Sequence, residues 1–358
     1  MLQISDFAAW LSITISLPSY NTWSGIIAGG NRMQFAVKPS VATGALTNLA
    51  GQERLVPLQY FLSEMMLFEI RFPMVRYSAH FTQFDGELHR WPDLLDSLPG
   101  HIRGLWVPSH PIQGPIPVVT RLGHILRYAP QQFYRHYTEI GGSFEDYFSN
   151  FGASSRREFR RQASRYANLC GGEIPIREYR RPEEMEEFYR HARTVSARSY
   201  QETLDGGFPK SDTMVDCLRD LAQRDANRGY ILFHGERPVA YHYLRHNNGI
   251  LSEPVYGYDM EYRKWGVGAV LQFRLLEQWF AQGCYRMLDH GEGQDYHQVV
   301  FATGKVMCAN LYFFRRTVRA SAAVHLHRAV EATSRTTGRI LQAMHIKDAV
   351  KKLLWHKY

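Results

Sequence analysis

Cysteine is scarce in this sequence. Its four cysteines, Cys170, Cys217, Cys284 and Cys308, show no CxxC spacing and no grouping with histidine, so neither a disulfide framework nor a thiolate zinc site is expected. Cys284 has no neighbouring His/Asp pair to activate it and reads as a small buried thiol beside a strand. Long apolar runs are missing as well. The stretch from Phe7 to Leu17 is too short to span a bilayer, no Lys or Arg precedes it, and Ser, Thr and Trp interrupt it. No other run reaches about 18 apolar residues, the length of a membrane-spanning helix. Together with free thiols, this predicts a soluble, cytoplasmic protein. Low-complexity blocks are absent too, and 45% hydrophobic with 21% charged residues is the composition of a folded chain.

An excess of one charge is also missing from most of the chain, despite a net charge of +8. Arg315 to Tyr358 holds ten Lys/Arg and two Asp/Glu, and the 32 basic residues upstream are matched by 32 acidic ones. A neutral body argues against a nucleic-acid groove, so no nucleic-acid partner is expected. The basic tail from about Ala320 is expected to form one or two helices outside the catalytic core. Ile340, Leu341, Met344, Ala349, Leu353 and Leu354 fall toward one helical side, and Arg339, Lys347, Lys351 and Lys352 toward the other. Such a helix packs on its own domain or makes a peripheral contact with an anionic membrane or a partner synthase.

At 358 residues, two domains are expected. Residues 1–45 read as a loosely structured lead-in with a turn at Gly29-Gly30-Asn31. Residues 46–140 mix strand and helix: Leu67 to Tyr77, a turn at Asp85-Gly86, a helix around Pro92 to Leu98, and Ile102 to Val107. Pro108, Pro111, Pro115 and Pro117 predict loop after that. Gly141-Gly142 marks a boundary, and Ser143 caps the helix that follows. Residues 141–318 then form the second domain, with 319–358 as the tail. The arginines of Arg156 to Arg161 give one helical face, read as a solvated surface. Helices at Pro182 to Ser196 and Asp212 to Arg224 lead to three strands, Tyr230 to Phe233, Val239 to Leu244 and Ile250 to Tyr258. The tight turns His234-Gly235-Glu236 and Asn247-Asn248-Gly249 make these an antiparallel meander. A helix from about Val267 to Gln282, ended by Gly283, and a strand Tyr285 to Asp289 complete the pattern.

Between the third strand and that helix stand Arg263, Lys264, Trp265, Gly266, Val267 and Gly268, an R-x-x-G-x-G string. Two glycines let the backbone approach a ligand closely. The helix amino end supplies unpaired N–H groups and a positive dipole, which together suit a pyrophosphate, and Arg263 adds a full charge. The string alone is weak; its position after an antiparallel meander and before a helix apolar on nearly every face strengthens it. A dinucleotide fold would put its glycines after the first parallel strand of a βαβ unit.

In this arrangement the chain resembles the GNAT acyltransferases, whose motif A is such a loop and helix. Residues from about Ser143 to Gly304 resemble, more narrowly, the CelD/BcsL-type acetyltransferases associated with cellulose and exopolysaccharide synthesis. The likeness rests on Ser143-Phe144-Glu145-Asp146-Tyr147, on Val195-Ser196-Ala197 with Ser199-Tyr200-Gln201, and on Gly257-Tyr258-Asp259. It rests also on Asp289-His290-Gly291-Glu292-Gly293-Gln294-Asp295-Tyr296 followed by Phe301, which is similar to the family's D-F-G-x-G-x-x-x-Y-K with a downstream Phe. Here His290 stands for the aromatic and His297 for the lysine. The resemblance implies an α/β (α+β) GNAT fold, a mixed, mostly antiparallel sheet flanked by helices. It also implies two such units in tandem, residues 46–140 being a degenerate first one. It implies acetyl-CoA or another acyl-CoA as co-substrate, no metal, and an amino sugar or other small amine as acceptor.

Attack of an amine on a thioester needs a general base, an oxyanion donor and an acid for the departing thiolate. Glu253 is a candidate base, because Pro254 inside a strand signals a bulge or an edge that opens the backbone. Asp289 ends an apolar strand beside two glycines. Tyr296 could protonate the thiolate, and His297 could act as a base in the working pH range. His242 and His246 share a strand face without a third ligand, which argues against a metal site. Two other readings stand beside acyl transfer from coenzyme A. One is a Fem-like aminoacyl transfer, which would call for a basic cleft, and the other is an inactive GNAT-shaped scaffold docking through its tail.

Overall fold

A computed structural model describes residues 51–62, 65–77, 80–84, 87–200, 202, 207–292 and 296–343, without the side chains of Glu253, Tyr296, His297 and residues 335–343. The lead-in 1–45, the Asp85-Gly86 turn, the Gly293-Gln294-Asp295 segment and the tail beyond 343 therefore lie outside the described residues. In chain order come β1 (Gly51–Leu62), β2 (Met65–Tyr77), α1 (Arg90–Ser97), β3 (Gly104–Pro111), β4 (Val119–Leu122) and β5 (Ile125–Glu139). Helices α2 (Phe144–Ser149) and α3 (Ala153–Leu169), β6 (Ile176–Tyr179), α4 (Met185–Ser196) and α5 (Met214–Gln223) follow. The meander β7 (Asn227–His234), β8 (Arg237–Asn247) and β9 (Ile250–Tyr258) leads into α6 (Val267–Gln282) and β10 (Met287–Glu292). The chain ends on α7 (Tyr296–Phe301), β11 (Gly304–Arg315) and α8 (Val318–Ala343).

The chain divides into two compact units, and the division is not linear. Among the described residues, one unit holds 51–133 and 306–343 and the other holds 134–305. The boundary expected near Gly141 thus falls a few residues later than the observed one. The segment after 305 returns to the amino-terminal unit.

In that unit β1 and β2 form a long antiparallel hairpin, β2 runs parallel to β3, and β3 pairs antiparallel with β11. Trp91 and Leu95 of α1 are buried against Leu105, Val107 and Phe313. Of the loop expected after Val107, the stretch with Pro115 and Pro117 is loop, but Pro108 to Pro111 is strand, because a bulge absorbs the first proline. Ala309 and Leu311 of β11 face His110 and Val107, so Pro108 and Ser109 together oppose Asn310. Ser109 takes a φ of 51° there, and its N–H donates to Asn310 Oδ1 at 2.9 Å. Helix α8 packs Ala320, Ala323 and Val324 against Val56, Leu58 and Tyr60. His327 of α8 donates from Nε2 to the Gln59 carbonyl and accepts at Nδ1 from the Tyr128 hydroxyl. At least its first half is a packed helix of this unit.

In residues 134–305 the sheet order is β5, β10, β9, β8, β7, β6, with only β9 and β10 parallel. Helix α6 buries Val267, Val270, Leu271, Phe273, Leu275, Leu276, Trp279 and Phe280, which span its circumference. Full burial of each such side chain stabilises by roughly 1.5–3 kcal/mol, and α6 is thereby fixed between the sheet and the aromatic residues of α2 and α3. Trp279 donates its indole N–H to the Tyr230 hydroxyl at 3.0 Å. Ser143 caps α2 by accepting from the Asp146 N–H, and Gly283 closes α6 with a φ of 63°. Cys284 follows that cap before the strand begins and is exposed, so the expected buried thiol is corrected to an exposed one on the connection between α6 and β10.

Candidate active site

The loop before α6 is shaped by charge and by glycine. Asp259 caps the 3-10 turn Met260–Trp265 by accepting from the Glu261 N–H at 3.0 Å. It is buried, and Arg237 and Arg198 neutralise it. The turn ends at Gly266, whose φ of 64° is left-handed, and a Cβ there would meet Gln162 Oε1 at 2.6 Å. Helix α6 begins at once. Val270 donates to the Gly266 carbonyl at 2.9 Å, no side chain caps the amino end, and the first-turn N–H groups lack intrahelical acceptors.

That end opens on a cavity of about 260 Å³ lined by α3, β8, β9, α6, β10 and α7. Arg263, Gly266, Val267 and Gly268 line it, together with Gln162 from the arginine-rich helix. Lys264 and Trp265 do not; the Trp265 ring lies against both Arg165 and Lys264. Tyr241, His242, Pro254, Tyr256, Leu288 and His290 also line the cavity. The expected irregularity at Pro254 is a bulge. Tyr243 and Arg245 of β8 face Val255 and Ser252, so Glu253 and Pro254 together oppose Leu244. Strand β9 is internal to its sheet. Its parallel ladder with β10 comprises Ile250–Met287 and Leu251–Leu288, and Pro254, three residues on, has no N–H to extend it.

Two buried imidazoles face this space. His242 is 3% exposed and His290 7%. Burial pushes the His242 ring down to about 3, helped by the proximity of His290. Burial likewise pushes His290 down to about 4, against the attraction of Asp289 and with a small contribution from His136. Both rings are neutral near pH 7. His290 Nε2 lies 2.8 Å from Thr138 Oγ1, whose hydroxyl donates to the Phe301 carbonyl at 2.6 Å.

Of the expected catalytic residues, Asp289 is fully buried. Its two oxygens accept from Arg135 Nε at 3.0 Å each, and one accepts from Arg135 Nη2 at 2.6 Å. One oxygen also accepts from the Gly291 N–H at 2.9 Å. Its neighbours Leu288 and His290, rather than Asp289, line the cavity. The side chains of Glu253, Tyr296 and His297 lie outside the described residues. His246 is turned to structure, bonding the Asp225 carbonyl through Nδ1 at 2.7 Å. Sequence reasoning left out Gln162, Tyr241, Tyr256 and Gln272, which have no motif to mark them. It set His242 aside and noted His290 only as a departure from a pattern.

Residues 153–299 match the family model described as an acetyltransferase (GNAT) domain. A search of curated proteins returns no match. Among solved structures, FemX superposes with a TM-score of 0.48 at 9% identity over 88% of this chain and 96% of that one. The C-terminal domain of a putative lysylphosphatidylglycerol synthetase from Agrobacterium fabrum does so with a TM-score of 0.44 at 7% identity, over 77% and 87%. A GCN5-related N-acetyltransferase from Kribbella flavida covers 55% of this chain and 62% of its own, at 14% identity and a TM-score of 0.28. The stretch 153–299 that matches this acetyltransferase (GNAT) domain contains the Arg263 to Gly268 loop, the meander and α6.

Proposed function

We propose that the unit of residues 134–305 transfers an acyl group from an acyl-CoA, acetyl-CoA in the simplest case, to the nitrogen of an amino sugar or another small amine. One observation carries this reading: the uncapped amino end of α6, reached through Gly266 and Gly268, opens on the cavity beside Arg263. The residues fit a pyrophosphate. Free N–H groups and the helix dipole favour an anion, Arg263 adds a charge, and Gly268 offers no side chain to block approach. A Cβ on Gly268 would sit 3.2 Å from the Tyr258 ring, inside the mouth. In the reaction the amine lone pair forms the C–N bond, the C–S bond breaks, and the thiolate leaves with the electron pair. The finer assignment to the CelD/BcsL type, and with it exopolysaccharide metabolism, is supported by the sequence resemblance alone.

Calorimetry with coenzyme A tests the reading. Arg263→Ala should weaken binding about tenfold, the scale of one charged hydrogen bond. Gly268→Ala should weaken it at least as much with only a small change in thermal stability, because alanine's helix preference over glycine, about 1 kcal/mol, works against the cost of displacing the Tyr258 ring 3.2 Å from the new Cβ. Wild-type protein that binds no coenzyme A would sink the proposal and leave aminoacyl donors to be tried.

A further inference from the structure

The cavity holds a proton acceptor that no motif announces. His290 sits on β10, nine-tenths or more buried, with its ring on the cavity wall. Its tautomer is set by a chain of hydrogen bonds. The Thr138 hydroxyl has one hydrogen and gives it to the Phe301 carbonyl, which also accepts from the Tyr147 hydroxyl at 2.7 Å. Thr138 Oγ1 can then only accept from His290, so Nε2 carries the proton and Nδ1 keeps its lone pair. The described hydrogen bonds of His290 leave Nδ1 without a partner. His242, on β8 across β9 in the same sheet, makes no hydrogen bond among the described residues and lines the same space.

We propose that His290 takes the proton from the acceptor nitrogen through Nδ1 as the C–N bond forms, and that Thr138 is the positioning residue that holds it in the competent tautomer. This rests on the acyl-transfer reading above. The balance is simple: the nitrogen becomes strongly acidic once its lone pair enters the new bond, its proton passes to Nδ1, and the imidazolium later returns it to the thiolate or to water. Of the groups facing His290, Asp289, itself held by Arg135, attracts a transient positive charge, while the imidazoles of His136 on β5 and His242 on β8 oppose it, which favours prompt return of the proton. Burial keeps the resting ring neutral, so the lone pair is available well below pH 6.5.

His290→Gln discriminates, because its amide N–H₂ can still donate to Thr138 while the Nδ1 lone pair is gone. Three measurements on the full chain settle the matter: coenzyme A affinity by calorimetry, thiol release from acetyl-CoA with and without glucosamine, and ¹⁵N imidazole spectra. His290 is expected as the Nε2–H tautomer. His290→Gln should bind coenzyme A within twofold of wild type yet release thiol at least tenfold more slowly. Thr138→Val should mix the tautomers and slow release, and Thr138→Ser should restore both. An Nδ1–H tautomer in wild type overturns the proposal. So does unchanged thiol release in His290→Gln, or wild type that binds coenzyme A and releases no thiol. Failure of wild type to bind coenzyme A defeats the underlying reading instead.

Discussion

Asp289, a catalytic candidate in the sequence, is held in the fold by a buried ion pair with Arg135. Its position beside glycines at a strand end is also where a carboxylate is needed to tie β10 to β5. Arg135 supplies the partner, 154 residues away in sequence. Breaking such a buried pair leaves a charge uncompensated and costs about 3–5 kcal/mol. Asp289→Asn should therefore lower the melting temperature by on the order of 10 °C. Pairing it with Arg135→Met should recover part of that loss, since no orphan cation would remain. A variant that melts with wild type while turnover collapses would return Asp289 to the chemistry.

At the scale of elements, the loop and helix of the site can be separated into shape and contact. Gly266 is required by its own backbone, with a positive φ and Gln162 packed where a Cβ would go. Gly266→Val should thus destabilise the fold by more than 1 kcal/mol whether or not a phosphate binds there. Gly268 has an ordinary helical backbone, and a Cβ there meets only the Tyr258 ring at 3.2 Å, so Gly268→Ala should cost less stability than Gly266→Val; equal loss in thermal melts of the two variants would contradict this division. Much of this was legible beforehand, because the signals are local. Strand Ile250–Tyr258 and helix Val267–Gln282 carry the bounds expected from the Asn248-Gly249 turn, the glycine loop and Gly283. The bulge at Pro254 follows from proline chemistry. The strand through Pro108 was not legible, since its bulge is bought by Asn310, two hundred residues on. Nor was the site's interior: Gln162 hides in an arginine-rich face, and His242 and His290 meet only through strand order.

For the molecule as a whole, the buried imidazoles couple folding to pH. A histidine of ordinary pKa near 6.5 when unfolded, held down to about 3 or 4 when folded, binds its proton only in the unfolded chain. The stability it confers is complete above pH 6.5 and is lost as pH falls toward the folded value. Burial lowers His191 and His327 in the same direction. The lowered carboxylates act in a lower window: Glu202, held near 2 chiefly by its hydrogen bond from Arg193, loses its contribution only below pH 4.5. Between pH 7 and 5 the histidines therefore dominate, with His242 and His290 worth about 2 kcal/mol each over that span. Urea unfolding should give a markedly lower midpoint at pH 5 than at pH 7 for wild type. The double variant His242→Gln, His290→Gln should lose on the order of 4 kcal/mol of that pH dependence, whatever its absolute stability. Equal pH dependence in the two proteins would mean that the rings are protonated or solvated in the fold, and a neutral acceptor at His290 would fall with them.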